Sequence, residues 1–248
     1  MPRRRRYLPI GVPAHVTNRG NDRRRLFPEV MDYQYFMDLL QGGLRRFAVD
    51  VFAYNVMPNH FHLVASQREG GALSAYLHWV TGISARNFRS ETSSTGQGHV
   101  FQGRFWSEPV HDTQHFLAVL RYVEANARRA SLVERAEDWK WGSLWERQHG
   151  ERNILTASPV PLQPDWTEIV NRPFDPRVLE DLRRPVPRGR PRTGQAVSAL
   201  PRDTALRTED PATWNRIRSN AKGAVPYSDS MTAAASRGMR ISWCPTML

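Results

Sequence analysis

Two strand-like segments joined by a short turn constrain the fold of this chain more than any other feature. Residues 49–57 and 60–66 are dense in β-branched and aromatic residues, and Met57-Pro58-Asn59 lies between them. Strand-like segments separated by a few turn-forming residues predict a β-hairpin. The segments on either side of this hairpin then decide the architecture.

A helical pattern precedes the hairpin and another follows it. Residues 29–47 and 72–90 carry apolar residues at intervals of three and four, which is the spacing of an amphipathic helix. Gly42 and Gly43 weaken the first of these helices without ending it. We therefore predict one helix on each side of the hairpin.

Further strands are predicted at both ends of this unit. Residues 12–21 alternate in polarity and end in a turn, and residues 104–111 form a last strand that Pro109 restricts to the edge of a sheet. Thr113 is then the predicted N-cap of a third helix. The order β-α-β-β-α-β predicts an α+β fold of the ferredoxin-like, split βαβ type, with an antiparallel sheet and helices on one face.

The chain is strongly basic, with 35 lysines and arginines against 24 aspartates and glutamates and a net charge of +11. Such a balance predicts an anionic partner, most often nucleic acid. Lys140 and Lys222 are its only lysines, a bias toward arginine that favours phosphate contacts and that a GC-rich genome would also produce. The genome explanation does not account for the net charge.

Cys244 is the only cysteine, which excludes an internal disulfide and a cysteine metal cluster. The N-terminus lacks the apolar core of a signal peptide, and no apolar run approaches the length of a membrane span. We therefore expect a cytoplasmic, nucleoid-associated protein without a membrane partner.

The pattern of the chain changes near residue 150. We predict a catalytic domain over 1–150 and, over 151–248, a basic, Pro-rich extension that is partly disordered and carries one short helix around 176–184. In the alternative arrangement, 151–182 packs onto the catalytic domain as a brace. Three apolar residues would form that brace: Trp166, Ile169 and Phe174.

His60 and His62 are the first candidates for chemistry. They flank Phe61 on a predicted strand, so both imidazoles project from one face of the sheet while Phe61 projects from the other. Two imidazoles in this arrangement form half of a site for a divalent metal. A pair of this kind is also a common surface or structural feature, and its spacing alone does not establish a metal site.

Tyr122 and Asn126 lie four residues apart on the predicted third helix and share one face, with His115 seven residues before Tyr122. The tyrosine hydroxyl and the amide oxygen one turn later can supply a nucleophile and a third metal ligand. The alternative is an ordinary tyrosine at the edge of a helix, which packs its ring and hydrates its hydroxyl. Spacing alone favours that alternative.

Between residues 5 and 147 the chain resembles the IS200/IS605-like transposases, specifically the REP-associated tyrosine transposases. The matching segments, in the family's order and spacing, are GVPAHVTNRGN (11–21), AYNVMPNHFHLV (53–64), FQGRFWS (101–107), LRYVEANARRASLV (120–133) and DWKWGS (138–143). The chain departs from the family at residues 126–131, where Asn-Ala-Arg-Arg-Ala-Ser stands in place of the common Asn-Pro-Val-Arg-Ala-Gly.

The resemblance implies a transposase that nicks and joins DNA. His60 and His62 match the family's metal-binding HUH motif. Tyr122 matches its nucleophilic tyrosine, and Asn126 matches the polar position expected to complete the metal site. The implied substrate is single-stranded or hairpin DNA, cut through a 5′-phosphotyrosine intermediate, and the implied cofactor is Mg²⁺ or Mn²⁺. Whether one chain or a homodimer forms the active site stays open.

Arginines and aromatic residues are the predicted DNA contacts: Arg19, Arg104, Phe105, Trp106, Arg188 and Arg190. Residues 104–106 combine a cation with two stacking surfaces suited to unpaired bases, whereas in the alternative interpretation either ring belongs to the core. Residues 188–191 resemble the core of an AT-hook, which enters a narrow minor groove, or else form a plain basic linker.

Two other functions are compatible with these residues. A domesticated protein would bind hairpin DNA without cutting it, and a metal-dependent hydrolase would use an activated water without a covalent step. Retention of His60, His62, Tyr122 and Asn126 favours the transposase over the domesticated protein. Only the tyrosine mechanism produces a denaturation-resistant adduct between protein and DNA.

Overall fold

The computed structural model describes residues 8–93, 98–110 and 112–183. Its strands are β1 (Ala14–Arg19), β2 (Val49–Met57), β3 (His60–Gln67) and β4 (Trp106–Pro109). They form one antiparallel sheet in the order β2-β3-β1-β4. This order has the first and third strands at the centre, which is the predicted ferredoxin-like arrangement, and Pro109 lies on an edge strand as expected.

The described helices follow the predicted positions and extend beyond them. They are α1 (Val30–Leu44), α2 (Ala72–Glu91), α3 (Thr113–Glu124), α4 (Asn126–Arg129), α5 (Ser143–His149), α6 (Trp166–Asn171) and α7 (Pro176–Arg183). The predicted N-cap of α3 is wrong by one residue. Asp112 is the cap, because its carboxylate accepts a hydrogen bond from the His115 backbone N–H at 2.7 Å.

The predicted hairpin is confirmed, with Met57 paired to His60 across a turn of Pro58 and Asn59. Backbone carbonyls of this turn accept hydrogen bonds from the loop that follows β1. The Asn59 carbonyl accepts from the Gly20 N–H at 2.8 Å, and the Pro58 carbonyl accepts from Leu26 N–H at 2.7 Å. The end of β3 that carries the histidines is therefore held against the end of β1.

The two faces of the sheet bury separate apolar cores. Phe61 and Leu63 pack with α1 and α2, and Val64 packs with α3. The helices between strands thus share one face as predicted, while α3 and α6 cover the other. A β-bulge in β2 places both Phe52 and Ala53 in the core under α3, which adds apolar area to that face.

The chain beyond α5 completes this second core, which corrects the prediction of an extension from residue 151. Residues 151–183 pack on the domain, and the residues they bury include Trp166, Ile169 and Val178. The Trp166 indole N–H donates to the Glu124 carboxylate at 2.6 Å, so a buried polar contact as well as apolar area joins α6 to α3. Over this range the brace is the arrangement found, and α7 matches the predicted short helix.

Residues 184–248 lie outside the described part, together with the predicted DNA contacts Arg188 and Arg190. Within the three described ranges, no helix combines the length and apolar character that crossing a bilayer requires.

Candidate active site

His60 and His62 lie on the face of the sheet that α3 covers, as strand alternation predicts. Their ring centroids are 4.9 Å apart. His62 is buried and His60 is half-buried, so the pair lies at the margin of the second core. The two imidazoles are therefore neighbours that face the same helix.

Tyr122 projects from α3 toward this pair. Its ring centroid lies 5.9 Å from that of His62, and the side chain is 8% exposed. Asn55, on β2, holds the end of α3, because its side-chain N–H groups donate to the carbonyls of Val123 at 3.0 Å and Glu124 at 3.4 Å. A strand residue thus fixes the end of the helix that presents the tyrosine.

Asn126 begins α4, so the predicted single helix carrying both Tyr122 and Asn126 is interrupted. The break is slight, because Ala125 keeps right-handed helical backbone angles. Asn126 is buried, and among the described residues its Nδ2 has no hydrogen-bond partner. The unsatisfied group is an N–H donor one turn after the tyrosine, which suits an acceptor such as a phosphate oxygen.

His15 is a site residue that the sequence interpretation missed. Its Nε2 lies 2.9 Å from His62 Nδ1, a hydrogen-bonding distance, and its ring stacks on that of His62 at 5.2 Å. The same ring meets Tyr122 at 5.8 Å and Trp106 at 5.4 Å, both edge to face. The register of β1 against β3 could have identified His15. Thr17 pairs with His62, and His15 is the next residue of β1 on the same face of the sheet.

Arg129 is the second residue missed. Its guanidinium lies 4.7 Å from the centroid of the Tyr122 ring. Burial lowers the pKa of Arg129, and the contact with Tyr122 opposes that shift. Within the described residues its buried Nη1 has no partner. Its position seven residues after Tyr122, two helical turns on, was the signal that could have found it.

All three histidines of the site are held neutral. Burial, with a smaller contribution from His115, lowers the pKa of His15 to about 3. Burial and then the charge of Arg19 lower the pKa of His60 to about 4. Burial, followed by the neighbouring His15 and His60, holds the pKa of His62 well below its usual value. Neutral imidazoles keep the lone pairs that metal coordination requires.

The side chains of this site fit a divalent metal, of whose ligands the protein supplies only some. In the part of the chain that the structure describes, no group of three or more His, Cys, Asp or Glu residues could hold an ion. His60 and His62 supply two neutral nitrogens, and the Asn126 amide is the third protein candidate. Water or phosphate oxygens would complete the coordination, as in metal sites that leave positions open to substrate.

The predicted DNA contacts divide into exposed and buried residues. Arg104 is exposed, and the exposed Arg19 donates to the Gln102 side-chain oxygen at 2.8 Å. Phe105 is 8% exposed and packs in the first core, so the core interpretation holds for this ring. Trp106 is half-buried, with its ring against His15.

The solved structures that match this chain include two that are described as transposases. A REP-associated tyrosine transposase bound to a REP hairpin is 21% identical, with a TM-score of 0.49 over 66% of this chain and 96% of that chain. A proposed transposase from Deinococcus radiodurans R1 is 18% identical, with a TM-score of 0.34 over 63% of this chain and 100% of that chain. Among proteins of curated function, none matches the chain by sequence.

The family comparison gives a match over residues 11–126 to the family described as Transposase IS200 like. The matched range contains the whole sheet, the histidine pair, Tyr122 and Asn126. Three of the five segments that resemble that family lie wholly within this range, and a fourth begins in it. Through residues 11–126, just under half of its length, the chain is similar to the IS200-like transposase family.

Proposed function

We propose that this protein cuts and joins single-stranded DNA beside a hairpin of the REP type, with Tyr122 as the nucleophile. The observation that carries the proposal is the position of the Tyr122 ring, 5.9 Å from that of His62, which in turn lies 4.9 Å from His60. The similarity of residues 11–126 to a transposase family supports the same assignment. Neither the ordinary helix-edge tyrosine nor a purely structural histidine pair requires this convergence.

Tyr122 attacks the phosphorus of a DNA phosphodiester in the proposed reaction. A bond forms from the phenolic oxygen to phosphorus while the bond from phosphorus to the 3′ oxygen breaks. The phenolic proton is lost and the leaving 3′ oxygen gains a proton, which yields a 5′-phosphotyrosine and a free 3′-hydroxyl. Because the covalent intermediate conserves the phosphoester, a DNA 3′-hydroxyl can reverse the step and join strands without ATP.

His60, His62 and Asn126 would hold the divalent metal, Mg²⁺ or Mn²⁺. When bound, the ion would neutralise charge on the phosphate oxygens and orient the scissile bond. The neutral state of both imidazoles supports this role, since a protonated ring has no lone pair for a metal. The Arg129 guanidinium packs over the Tyr122 ring and restricts the positions of the nucleophile.

Exposed arginines near the site supply the DNA contacts in this proposal. Arg19 pairs in register with His60, so a phosphate backbone that reaches the histidines passes this side chain. Arg104 lies in the exposed loop before β4. The net charge of +11 favours binding to any nucleic acid, and Arg188 and Arg190 remain predicted contacts.

Trapping of a covalent adduct tests the nucleophile. A labelled oligonucleotide with a short palindromic hairpin and a single-stranded flank is incubated with Mn²⁺, and the products are separated under denaturing conditions. We expect an adduct with the wild type and none with Tyr122→Phe, which removes one hydroxyl and keeps the ring. Tyr35→Phe is the matched control, because Tyr35 is exposed on α1 and its loss should leave the adduct intact.

Chelation of the metal, or His60→Ala or His62→Ala, should also remove the adduct while hairpin binding changes much less. Hairpin binding by the wild type without any adduct would instead identify a domesticated binding protein. Cleavage that persists in Tyr122→Phe would identify a hydrolase with an activated water. Each of these two results contradicts the proposed mechanism.

A further inference from the structure

Each histidine of the pair forms a hydrogen bond through the same ring nitrogen. His60 Nδ1 lies 2.7 Å from the side-chain oxygen of Asn59, and His62 Nδ1 lies 2.9 Å from Nε2 of His15. Nε2 is therefore the nitrogen that each ring can offer to a ligand. The protonation of Nδ1 decides whether it does so, because a neutral imidazole carries one N–H and one lone pair.

Asn59 determines the tautomer of His60. Its Nδ2 donates to the backbone carbonyl of Arg23 at 3.3 Å, which orients the amide so that its oxygen faces the ring. An amide oxygen accepts hydrogen bonds and cannot donate them. His60 Nδ1 must therefore carry the proton, and the lone pair resides on Nε2.

His15 stands in the same relation to His62. It is buried on β1 between the rings of His62, Tyr122 and Trp106, so packing on several sides fixes its plane. Among the described contacts of the His15 ring, no backbone group forms a hydrogen bond with Nε2. This atom lies beside His62 Nδ1, and the two rings stack. If His15 Nε2 accepts, His62 has the same Nδ1–H tautomer as His60.

We propose that Asn59 and His15 are positioning residues for the metal site, each accepting the Nδ1–H of one histidine so that both Nε2 atoms can bind the same divalent ion. The inference rests on the proposed function, because it takes His60 and His62 to be metal ligands. Residues that orient metal-binding histidines in this way typically contribute 10- to 100-fold to metal affinity.

Titration of the metal alone into the full-length protein tests the role of His15. We expect His15→Phe, which keeps an aromatic ring and removes the acceptor, to weaken Mn²⁺ binding by about 10- to 100-fold. His15→Gln should restore affinity to within a few-fold of wild type, since its amide oxygen reaches the position of the ring nitrogen. Equal Mn²⁺ affinity in wild type and the Phe variant would overturn the inference.

Nitrogen-15 NMR of the imidazoles supplies a readout without metal, DNA or any substitution. In the metal-free wild type, His60 and His62 should both show a protonated Nδ1 and an unprotonated Nε2. A protonated Nε2 on either ring overturns the assignment for that ring, even where the Phe variant fails to fold. For His60, Asn59→Asp keeps an acceptor and should preserve the tautomer, whereas Asn59→Leu should lose it.

The failure of this inference and the failure of the proposed function give different results. A wild-type protein that binds Mn²⁺ and shows both predicted tautomers but forms no DNA adduct contradicts the cleavage mechanism alone. A wild-type protein that forms the adduct while His15→Phe binds Mn²⁺ normally contradicts the positioning role alone. Absence of Mn²⁺ binding by the wild type contradicts both.

Discussion

At the scale of single residues, the candidate nucleophile is held between a basic side chain and the imidazoles. Arg129 lies over the ring of Tyr122, while His62 and His15 meet the same ring at their edges. An arginine beside an attacking oxygen stabilises the negative charge that develops there. This contact is worth more in a buried site than in water, because the local dielectric constant is lower.

Arg129→Met should therefore lower the rate of adduct formation by about 100-fold while hairpin affinity changes little, an effect in the range reported for loss of one charge-stabilising donor. Single-turnover kinetics with saturating hairpin DNA measures it. Arg128→Met is the matched control, because it removes the same charge from the next residue, whose guanidinium donates to the Glu134 carbonyl. An equal fall in rate in the two variants would show that the loss of net charge, and not the contact with Tyr122, causes the effect.

At the scale of elements, two adjacent glycines in α1 have different roles, although the sequence shows them only as two weak helix formers. A Cβ at Gly43 would lie 2.6 Å from the ring of Tyr76 on α2, whereas a Cβ at Gly42 would have no heavy atom nearer than 3.8 Å. Tyr76 cannot move aside easily, since it is fully buried and its hydroxyl donates to the Leu40 carbonyl at 3.0 Å. Gly43 thus permits the close contact of the two helices.

Substitution of each glycine by alanine should change stability in opposite directions. Gly43→Ala should lower the free energy of unfolding by about 1–3 kcal/mol, the usual cost of overpacking a core. Gly42→Ala should raise it by up to about 1 kcal/mol, because alanine is the better helix former and has room. Denaturant unfolding measures both, and a stabilising Gly43→Ala would show that α1 and α2 separate freely.

At the scale of the whole molecule, α6 and the segment after it are part of the domain core. Arg121 is fully buried, and its guanidinium donates to the carbonyls of Ile169 at 2.8 Å, Arg172 at 2.7 Å and Pro173 at 3.0 Å. The same guanidinium lies 4.0 Å from the centroid of the Phe174 ring. Without residues 151–183 this guanidinium would lose these three acceptors, and the apolar face of α3 would be exposed to water.

Two truncations separate stability from DNA binding. A chain that ends at Gly150 should lose cooperative unfolding or show a greatly lowered Tm. A chain that ends at Arg183 should keep the wild-type Tm and the adduct. If Arg188 and Arg190 each bind a phosphate, this second chain should also show a salt dependence of log K weaker by roughly 1.4 to 1.8. An unchanged slope would assign these arginines to a plain linker.

The local features of this fold follow from the sequence alone, because they depend on neighbours along the chain. Alternation along β3 placed His60 and His62 on one face, and the turn residues predicted that β2 and β3 form a hairpin. Helical spacing likewise brought Tyr122 near Asn126. The family resemblance then assigned roles that spacing could not assign, and the family comparison gives the same resemblance over residues 11–126.

Tertiary structure alone decided which distant residues complete the site and the core. His15 reaches His62 through the pairing of β1 with β3, 47 positions apart in the chain. The residues after 150 look like a polar, Pro-rich linker in sequence. Within residues 151–183, the few apolar side chains nevertheless pack because Arg121, Glu124 and the face of α3 are already there to receive them. Such contacts depend on the packing of whole elements, which no local pattern of residues encodes.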